Sequence, residues 1–361
     1  MYVKYLMLKD YRNYSELNIE LIKGVNVFIG DNAQGKTNIL ESIYYCGFAK
    51  SHRSNKDKEL IRWEQEKALI SLYVVRDRLD KNIKINILKN GKKAITINSI
   101  KINKLSQLVG VFNVVIFSPE DLKIVKESPN IRRRFLDMEI CQLNPKYYHS
   151  LVTYNKILNE RNLLLKRRQP YEEMISIYDE QLSVYGDYII KKRIEYINKL
   201  NVYGKSMHKD ITSGKENIDF KYVCSLKDIS NIKETLKEKL RSNYERDVDR
   251  GNTSIGPHRD DLAIYLNDID AKSFGSQGQQ RTSILTMKFA SLEIIKEITG
   301  EYPVLLLDDV LSELDINRKS YILKSIKDIQ TIITCTGTEY IEESLYDNYK
   351  VFKVIDGKVE E

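Results

Sequence analysis

The architecture of this chain follows from one short segment, Gly30-Asp31-Asn32-Ala33-Gln34-Gly35-Lys36-Thr37, which fits the phosphate-loop pattern G-x-x-x-x-G-K-[ST] at every fixed position. The backbone N–H groups of such a loop turn inward around phosphate oxygens. Lys36 is placed to reach the β- and γ-phosphates of a nucleotide, and the Thr37 hydroxyl is placed to bind Mg²⁺. All the residues of the segment are therefore predicted to bind a nucleoside triphosphate.

The flanking sequence has the order that a phosphate site requires. An apolar run over residues 25–29 predicts a buried strand, and apolar residues recur at helical spacing after the loop, at Ile39, Leu40, Ile43 and Tyr44. The N-terminus of that helix adds its own attraction for anions. A tight strand-to-helix turn that binds nothing is the alternative interpretation.

A second nucleotide motif lies near the other end of the chain. The apolar run 304–307 is followed by Asp308 and Asp309, which is typical of a buried parallel strand that delivers carboxylates to the phosphate end of a sheet. Asp308 is predicted to hold Mg²⁺ through water, and Asp309 to act as the general base for the attacking water. For this run alone, a strand that ends in solvated acids is an equal alternative. The distance between the motifs predicts one site assembled from both chain ends around an insertion.

A polar loop between these motifs runs directly into a helical pattern. Such a helix start presents small residues and a hydroxyl to an anion, although an ordinary capped helix is the alternative. The loop residues are Ser276, Gln277, Gly278 and Gln279. A further short segment, S-E-L-D at residues 312–315, follows the acidic pair.

The composition excludes several classes of protein. The chain has 361 residues, of which 42% are hydrophobic and 30% charged, and its formal net charge is +7. No apolar run approaches the roughly 18 residues that span a bilayer, and residues 1–6 do not have the organisation of a signal peptide. The scattered cysteines, without C-x-x-C spacing, indicate reduced thiols in the cytoplasm. Since no run is apolar enough to span a bilayer, no membrane partner is expected. The positive charge is compatible with a polyanionic partner such as nucleic acid.

Residues from about 125 to 245 read as a helical insertion. Two series of apolar residues follow 3/4 spacing on either side of a break at Gln169-Pro170, which predicts an antiparallel hairpin with a coiled-coil-like seam. The first series is Leu151, Tyr154, Leu158 and Leu165, and the second is Ile175, Tyr178, Leu182, Tyr185 and Ile189.

Basic clusters on and near this insertion are candidates for contacts with DNA phosphates. Nothing in them indicates base-specific reading, so backbone contacts are expected. For each cluster taken singly, a solvated helix face is the alternative. The candidates are Lys50 and Arg53, then Arg132, Arg133 and Arg134, and finally Lys166, Arg167 and Arg168.

The order of these motifs resembles the ABC-type ATPase head, and within that group the RecF family of bacterial DNA replication and repair proteins. The segments that carry the resemblance span nearly the whole chain. They are F-S-P-E-D-L at 117–122, I-R-R-R-F-L-D at 131–137, G-P-H-R-D-D-L at 256–262, G-S-Q-G-Q-Q-R-T at 275–282 and L-L-D-D-V-L-S-E-L-D at 306–315. The chain departs from the transporter pattern because its signature reads S-Q-G-Q, its second acid is Asp309 rather than Glu, and no His follows the late strand 332–336. Residues 118–121 are the predicted junction between the head and the arm.

The resemblance implies an α/β ATPase head built from residues 1–120 and 250–361, with a mostly helical arm over 121–249. It also implies that ATP and Mg²⁺ are cofactors and that two copies sandwich two ATP molecules, each completing its partner's site through Ser276 and Gly278. Such a dimer would close over gapped or junction DNA without sequence preference. Slow, DNA-dependent hydrolysis would reopen it. RecO and RecR are the implied protein partners, in loading the RecA recombinase.

Other function classes compete with this interpretation. An ATPase subunit of a membrane transporter has the same head, but the basic arm does not suit it. A structural DNA-binding protein that has lost catalysis would keep the motifs without turnover. A short SMC-like scaffold is disfavoured because each helical arm holds only a few heptads.

Overall fold

The structure, a computed structural model, describes residues 1–167, 172–226, 228–337 and 348–361. The contacts between Cα atoms group the chain into two compact units. The first, the head unit, contains Met1–Asp121 and Ser291–Glu361, and the second, the arm unit, contains Leu122–Ala290. Residues 250–290, which the resemblance assigns to the ATPase head, thus have most of their contacts within the arm unit.

The head unit contains two sheets and the helices that cover them. Its strands are β1 (Tyr2–Tyr11), β2 (Tyr14–Glu20), β3 (Val25–Ile29), β4 (Lys67–Val75), β5 (Lys81–Leu88), β6 (Lys93–Ile97), β7 (Ile100–Ile102), β8 (Val114–Phe117), β12 (Val304–Asp308), β13 (Thr331–Cys335), β14 (Tyr349–Ile355) and β15 (Lys358–Glu360). Its complete helices are α1 (Lys36–Phe48) and α10 (Ile316–Ser325).

An antiparallel sheet has the strand order β2-β1-β4-β5-β6-β7. Its strands alternate buried and exposed residues, as expected for a sheet with one face on the core and one in water. On β1, for example, Leu6 and Leu8 are buried, whereas Tyr5 and Met7 are each 43% exposed.

A mostly parallel sheet has the order β15-β14-β3-β13-β12-β8. The central strands β12 and β13 are buried along their whole length, which explains why their sequences are continuous apolar runs rather than alternating ones. Strands β3, β13, β12 and β8 run parallel to one another, so their carboxyl ends meet at one edge of the sheet.

The arm unit is mostly helical with one small sheet. Its helices are α2 (Leu122–Lys126), α3 (Pro129–Leu143), α4 (Pro145–Leu165), α5 (Glu172–Ile211), α6 (Ile232–Ser242), α7 (Tyr244–Arg250), α8 (Ala271–Phe274) and α9 (Gln277–Thr299), the last of which continues into the head unit. Strands β9 (Ile218–Val223), β10 (Asp261–Leu266) and β11 (Ile269–Asp270) form an antiparallel sheet in the order β11-β10-β9.

The predicted hairpin is present as α4 and α5. The two helices run antiparallel. Asn144, just before α4, contacts Tyr188 in the middle of α5, whereas Arg161, near the end of α4, contacts Asp179 near the start of α5. Most of the predicted seam residues are buried, and Leu151, Tyr178 and Tyr185 are partly exposed. The predicted break at Gln169-Pro170 lies outside the described residues. The expectation of an α/β head with an inserted helical region is confirmed.

Within the described ranges, none of the helices combines the length and the apolar character that crossing a bilayer requires.

Candidate nucleotide-binding site

The loop between β3 and α1 has the backbone conformation of a phosphate cradle. Gly30 and Gly35 have φ angles of 153° and 114°, and Ala33 has a φ of 66°. A Cβ at position 30 would collide with the carbonyl oxygen of Val354. Glycine is therefore required at position 30 both by the backbone angle and by the neighbouring strand. The loop ends where α1 begins, at Lys36.

Lys36 folds back along the loop that precedes it. Its Nζ donates to the carbonyl oxygens of Gly30 and Asp31, the latter at 2.7 Å. Burial lowers the pKa of Lys36, while the nearby carboxylates, chiefly Asp309, act in the opposite direction. A phosphate oxygen is a charged acceptor that such a partly desolvated ammonium group would prefer to two neutral carbonyls.

The two predicted motifs meet at Asp308. The Thr37 hydroxyl donates to Asp308 Oδ1 at 2.8 Å, and the Thr334 hydroxyl donates to the same oxygen at 2.8 Å. Burial raises the pKa of Asp308, and the hydrogen bonds from Thr37 and Thr334 oppose that effect. A hydroxyl and a carboxylate held together are the hard oxygen ligands that Mg²⁺ takes.

Asp309 lies just beyond the end of β12 in a left-handed conformation, with a φ of 53°. Its backbone N–H donates to the carbonyl and the hydroxyl oxygen of Thr334, at 3.2 and 3.1 Å. The Ser312 hydroxyl donates to the Asp309 carbonyl at 2.7 Å and contacts its Oδ1 at 3.1 Å. These bonds fix the direction of a carboxylate that is predicted to accept a proton from water.

Two neighbouring turns brace the phosphate loop, and no pattern in the sequence indicated either of them. The backbone N–H of Asp356 donates to Gln34 Oε1 at 2.5 Å, and that of Gly357 donates to the Gln34 carbonyl at 3.3 Å. The Asn13 side chain donates to the same carbonyl at 2.9 Å. The loop is thus held from the β14–β15 turn and from the β1–β2 turn.

A buried glutamate organises the cations beside α1. Glu41 is fully buried and receives two hydrogen bonds of 2.8 Å from Arg12 and one of 2.5 Å from the Ser51 hydroxyl. Arg53 lies 4.0 Å from the same carboxylate and donates to Asn38 at 3.0 Å. The hydrogen bonds from Arg12 and Ser51 overcome the effect of burial and hold the pKa of Glu41 below its usual range. The one sequence signal for this cluster is a glutamate within the apolar helix α1.

The Ser276–Gln279 loop is a capped helix start within the arm unit. The Ser276 N–H donates to Gln279 Oε1 at 2.8 Å, and the Gln279 N–H donates to the Ser276 hydroxyl at 3.2 Å. This reciprocal pair is a capping box. Ser276 and Gln277 are exposed and Gly278 is partly exposed, so the loop is accessible from solvent.

The predicted junction at residues 118–121 follows β8, whose residue Phe117 pairs with Leu307 of β12. Ser118 consequently lies at the same sheet edge as Asp308. Its N–H donates to Asp121 Oδ2 at 2.8 Å, which starts a short 3₁₀ turn.

The candidate DNA-binding residues differ in how exposed they are and in whether they bond to other parts of the protein. Arg132 is only 4% exposed and forms hydrogen bonds of 2.7 and 2.8 Å with the carboxylate of Asp261. Arg133 donates to the Asp260 carbonyl at 2.6 Å. Because an arginine engaged in this way has little left to offer a phosphate, Arg132 serves the fold of the arm unit.

The remaining candidates lie nearer the surface. Lys50, Arg53, Lys166 and Arg167 are exposed, and Arg134 is partly exposed. Arg168 lies outside the described residues.

Comparisons with known proteins agree over the full length of the chain. The family model described as RecF/RecN/SMC N terminal domain matches residues 2–360. A Clostridium perfringens protein described as DNA replication and repair protein RecF is 66% identical over 360 residues, and the match covers 100% of both chains. A Clostridium acetobutylicum protein with the same description is 58% identical over 362 residues, again with 100% of both covered. These relatives support the replication-and-repair interpretation and not the transporter alternative.

Solved structures give the same result. One described as the recombination mediator protein RecF-ATP in the RecFOR pathway has a TM-score of 0.91 and 38% identity, and covers 99% of this chain and 98% of that chain. An Smc head domain from Pyrococcus furiosus has a TM-score of 0.58 at 16% identity, covering 99% and 95%. At that identity the Smc head supports a shared fold alone.

Proposed function

This chain belongs to the RecF family of DNA replication and repair proteins, and from that membership we propose that it is an ATP-dependent DNA-binding clamp of recombinational repair. One observation carries the proposal, the 2.8 Å hydrogen bond from Thr37 to Asp308. This bond joins the phosphate loop and the acidic strand, from opposite ends of the chain, in one site. For the function we propose a division that differs from the two compact units. The functional head comprises residues 1–120 and 250–361, and the functional arm comprises residues 121–249.

ATP is the proposed nucleotide, as in the RecF-ATP structure to which this chain is similar. The loop 30–37 offers backbone N–H groups to the phosphates, and Lys36 exchanges its two carbonyl acceptors for phosphate oxygens. Asp309 accepts a proton from the attacking water. The bonds that Ser312 and Thr334 make to Asp309 support this role, because they fix the carboxylate and its backbone.

Thr37 and Asp308 are the residues proposed to hold Mg²⁺. Their oxygens already lie together, and a cation there would offset the burial that raises the pKa of Asp308. When bound, Mg²⁺ neutralises charge that develops on the β- and γ-phosphate oxygens.

We propose that the competent form is an ATP-dependent homodimer. In ABC-type heads, to which this chain is similar, the signature loop of one copy completes the nucleotide site of the other. The exposed helix start at Ser276 suits that role, because its hydroxyl and the helix N-terminus both attract an anion. Dimer formation would then depend on ATP bound in the loop 30–37 of the opposite copy.

DNA, RecR and RecO are the proposed partners, by relation to proteins of the RecFOR pathway. Contacts with DNA are expected to be mostly to phosphates and independent of sequence, from Lys50, Arg53, Arg134, Lys166 and Arg167. The hydrolysis is proposed to be weak, DNA-dependent and used as a switch, so that the protein releases DNA after each ATP turnover.

Replacement of Ser276 by Arg tests the dimer. Ser276→Arg should still bind ATP, because the loop 30–37 is unchanged, but should not dimerise, because a long cation replaces the hydroxyl at the partner's phosphate. Light scattering with gel filtration, with and without ATP, measures this. Ser273→Arg, an exposed serine of the preceding helix α8, is the matched control.

A mixing experiment sharpens the result. Ser276→Arg lacks the signature half of the site and Lys36→Ala lacks the loop half, so a mixture should recover one composite site and part of the hydrolysis. If Ser276→Arg dimerises with ATP as readily as the wild type does, the sandwich arrangement is wrong for this chain.

A further inference from the structure

The capping box that starts α9 has a third member outside the helix. Gln279 accepts the Ser276 N–H through Oε1 at 2.8 Å and donates through Nε2 to Oε1 of Glu216 at 2.9 Å. Glu216 lies in the loop between α5 and β9, 63 residues before Gln279 in the chain, and its side chain is 22% exposed. The proposed ATP chemistry gives Glu216 no role, although it contacts a residue of the Ser276–Gln279 loop directly.

The two ends of the Gln279 amide are not interchangeable in this position. An amide presents one oxygen, which accepts, and one NH₂ group, which donates. The Ser276 N–H requires the oxygen and the Glu216 carboxylate requires the NH₂ group, because a carboxylate only accepts. Half a turn of the amide would bring its NH₂ group against the Ser276 N–H and its oxygen against the carboxylate. Glu216 therefore selects the orientation in which Gln279 caps Ser276.

Glu216 is itself held by the end of α5. Its N–H donates to the Thr212 hydroxyl at 3.4 Å, and that hydroxyl donates to the His208 carbonyl at 2.7 Å. Its second carboxylate oxygen lies 3.5 Å from His208 Nε2. The imidazole is fully buried, and its Nδ1 lies 2.8 Å from the hydroxyl of Thr286 on α9. The position of the carboxylate is consequently set by α5 and by the same helix, α9, whose start it helps to organise.

We propose that Glu216 is a positioning residue for the nucleotide site of the partner copy in the ATP-dependent homodimer, and that it acts through Gln279. The oriented amide accepts the Ser276 N–H, and the Ser276 hydroxyl oxygen accepts the Gln279 N–H at 3.2 Å. The hydrogen of that hydroxyl is then available to a phosphate oxygen. A donor that is oriented in advance needs no reorganisation when the anion arrives.

The inference rests on the proposed function and deepens it, because it names a residue that prepares the Ser276 loop for the partner's phosphate. Without Glu216, nothing in this contact would select one orientation of the Gln279 amide, and half of the capping box would be lost for part of the time. The loop would then have to be ordered when the dimer forms. This cost weakens dimerisation and leaves the affinity of each separate copy for ATP unchanged.

Removal of the carboxylate is the direct test. Glu216→Ala should weaken ATP-dependent dimerisation about tenfold, the effect of losing one hydrogen bond to a charged group. Light scattering over a concentration series with ATP measures the dimer dissociation constant. Binding of a fluorescent ATP analogue, at a protein concentration too low for dimers, should stay within about twofold of the wild type. Glu238→Ala, which removes an exposed glutamate of α6 in the same unit, is the matched control and should dimerise as the wild type does.

An exchange of the two groups separates orientation from packing. Gln279→Glu alone places two carboxylates against each other and should weaken dimerisation at least as much as Glu216→Ala does. When Gln279→Glu is combined with Glu216→Gln, the new amide at position 216 donates to the carboxylate at position 279, whose other oxygen accepts the Ser276 N–H. The double variant should therefore dimerise within about threefold of the wild type. A general loss of packing would instead make the double variant worse than Gln279→Glu alone.

The outcomes distinguish this inference from the proposed function. If Glu216→Ala dimerises with ATP as the wild type does while Ser276→Arg does not, Glu216 does not position the loop and the sandwich dimer stands. A double variant as impaired as Gln279→Glu alone also overturns the inference, because the orientation of the amide then has no effect. Failure of the wild type itself to dimerise with ATP contradicts the proposed function, and the inference with it.

Discussion

Lys36 of the head unit and the buried arginines of the arm unit have opposite kinds of partners. At the nucleotide site, Lys36 donates to neutral carbonyls and so retains its charge for a ligand. In the arm, Arg132, Arg161 and Arg193 are at most 4% exposed, and each is paired with an aspartate of the same unit, namely Asp261, Asp179 with Asp247, or Asp137. The difference teaches that a basic residue indicates a ligand only where its hydrogen bonds are not already made to a carboxylate of the fold.

The largest effect is expected at Lys36. Lys36→Ala should weaken ATP binding about a thousandfold, or ~4 kcal/mol, because the β- and γ-phosphates lose their only loop ammonium group. Titration calorimetry measures the affinity, and Lys58→Ala, at an exposed lysine of the same unit, is the control. Tight ATP binding by Lys36→Ala would contradict the assignment of residues 30–37 as a phosphate loop. Lys36 could then no longer be contrasted with the buried arginines of the arm unit.

A substitution at Arg132 tests the role of the buried arginines of the arm unit. Arg132→Ala should destabilise the protein by about 3 kcal/mol, because it leaves the carboxylate of Asp261 and the carbonyls at the end of α2 without their donor. Chemical denaturation measures the free energy of unfolding, and Arg167→Ala, at an exposed arginine, should change it by less than about 0.5 kcal/mol. If Arg132→Ala is as stable as the wild type but binds DNA poorly, Arg132 belongs to the DNA surface after all.

A substitution at Asp309 distinguishes an effect on ATP hydrolysis from an effect on ATP binding. Asp309→Asn should slow ATP hydrolysis about a hundredfold, or ~3 kcal/mol, with ATP affinity unchanged, because the amide cannot accept the proton of the attacking water. Single-turnover hydrolysis and equilibrium ATP binding are the two measurements. Normal hydrolysis by this variant would place the general base on another residue.

The exposed basic pair of the arm is expected to have a smaller effect. Lys166→Ala combined with Arg167→Ala should weaken duplex binding severalfold, or ~1 kcal/mol, and should reduce the salt slope by about 0.9 for each phosphate that the variant no longer neutralises. Stability should not change, which is the opposite of the expectation for Arg132. An unchanged salt slope would assign this cluster to a solvated helix face.

The smallest expected effect is a pH dependence of stability from His258. Burial lowers the pKa of His258 to about 4, and its ring is held between the Tyr154 hydroxyl and the Thr253 carbonyl. The unfolded chain binds this proton at about pH 6.5, so stability should be constant above that pH and should fall between pH 6.5 and 4. At pH 6 the loss should be about 0.8 kcal/mol.

The comparison of the wild type with His258→Gln isolates this contribution. Glutamine can donate to the Thr253 carbonyl and accept from Tyr154, but does not titrate. Denaturation at several pH values should therefore show a steeper acid loss in the wild type. Equal slopes in the two proteins would mean that the pKa of His258 is the same in the folded and the unfolded chain.

Local patterns of the sequence predicted the elements and the motifs because these depend on near neighbours along the chain. The glycines of residues 30–37 and the apolar run 304–307 specify a phosphate loop and a buried parallel strand by their spacing alone. The seam of α4 and α5 follows from 3/4 periodicity. The resemblance to the RecF family, which rests on ordered motifs over the whole length, was also a property of sequence.

The partners of each charge were decided by tertiary structure, because they come from distant parts of the chain. No spacing indicated that Thr334 would join Thr37 on Asp308, that Glu41 would gather Arg12, Ser51 and Arg53, or that the turn at Asp356 would brace Gln34. The arginine-rich run 132–134 indicated DNA equally at each position, and only packing against Asp261 showed that Arg132 is internal. Sequence states which charges exist, whereas the fold determines which of them are neutralised within the protein and which remain for a ligand.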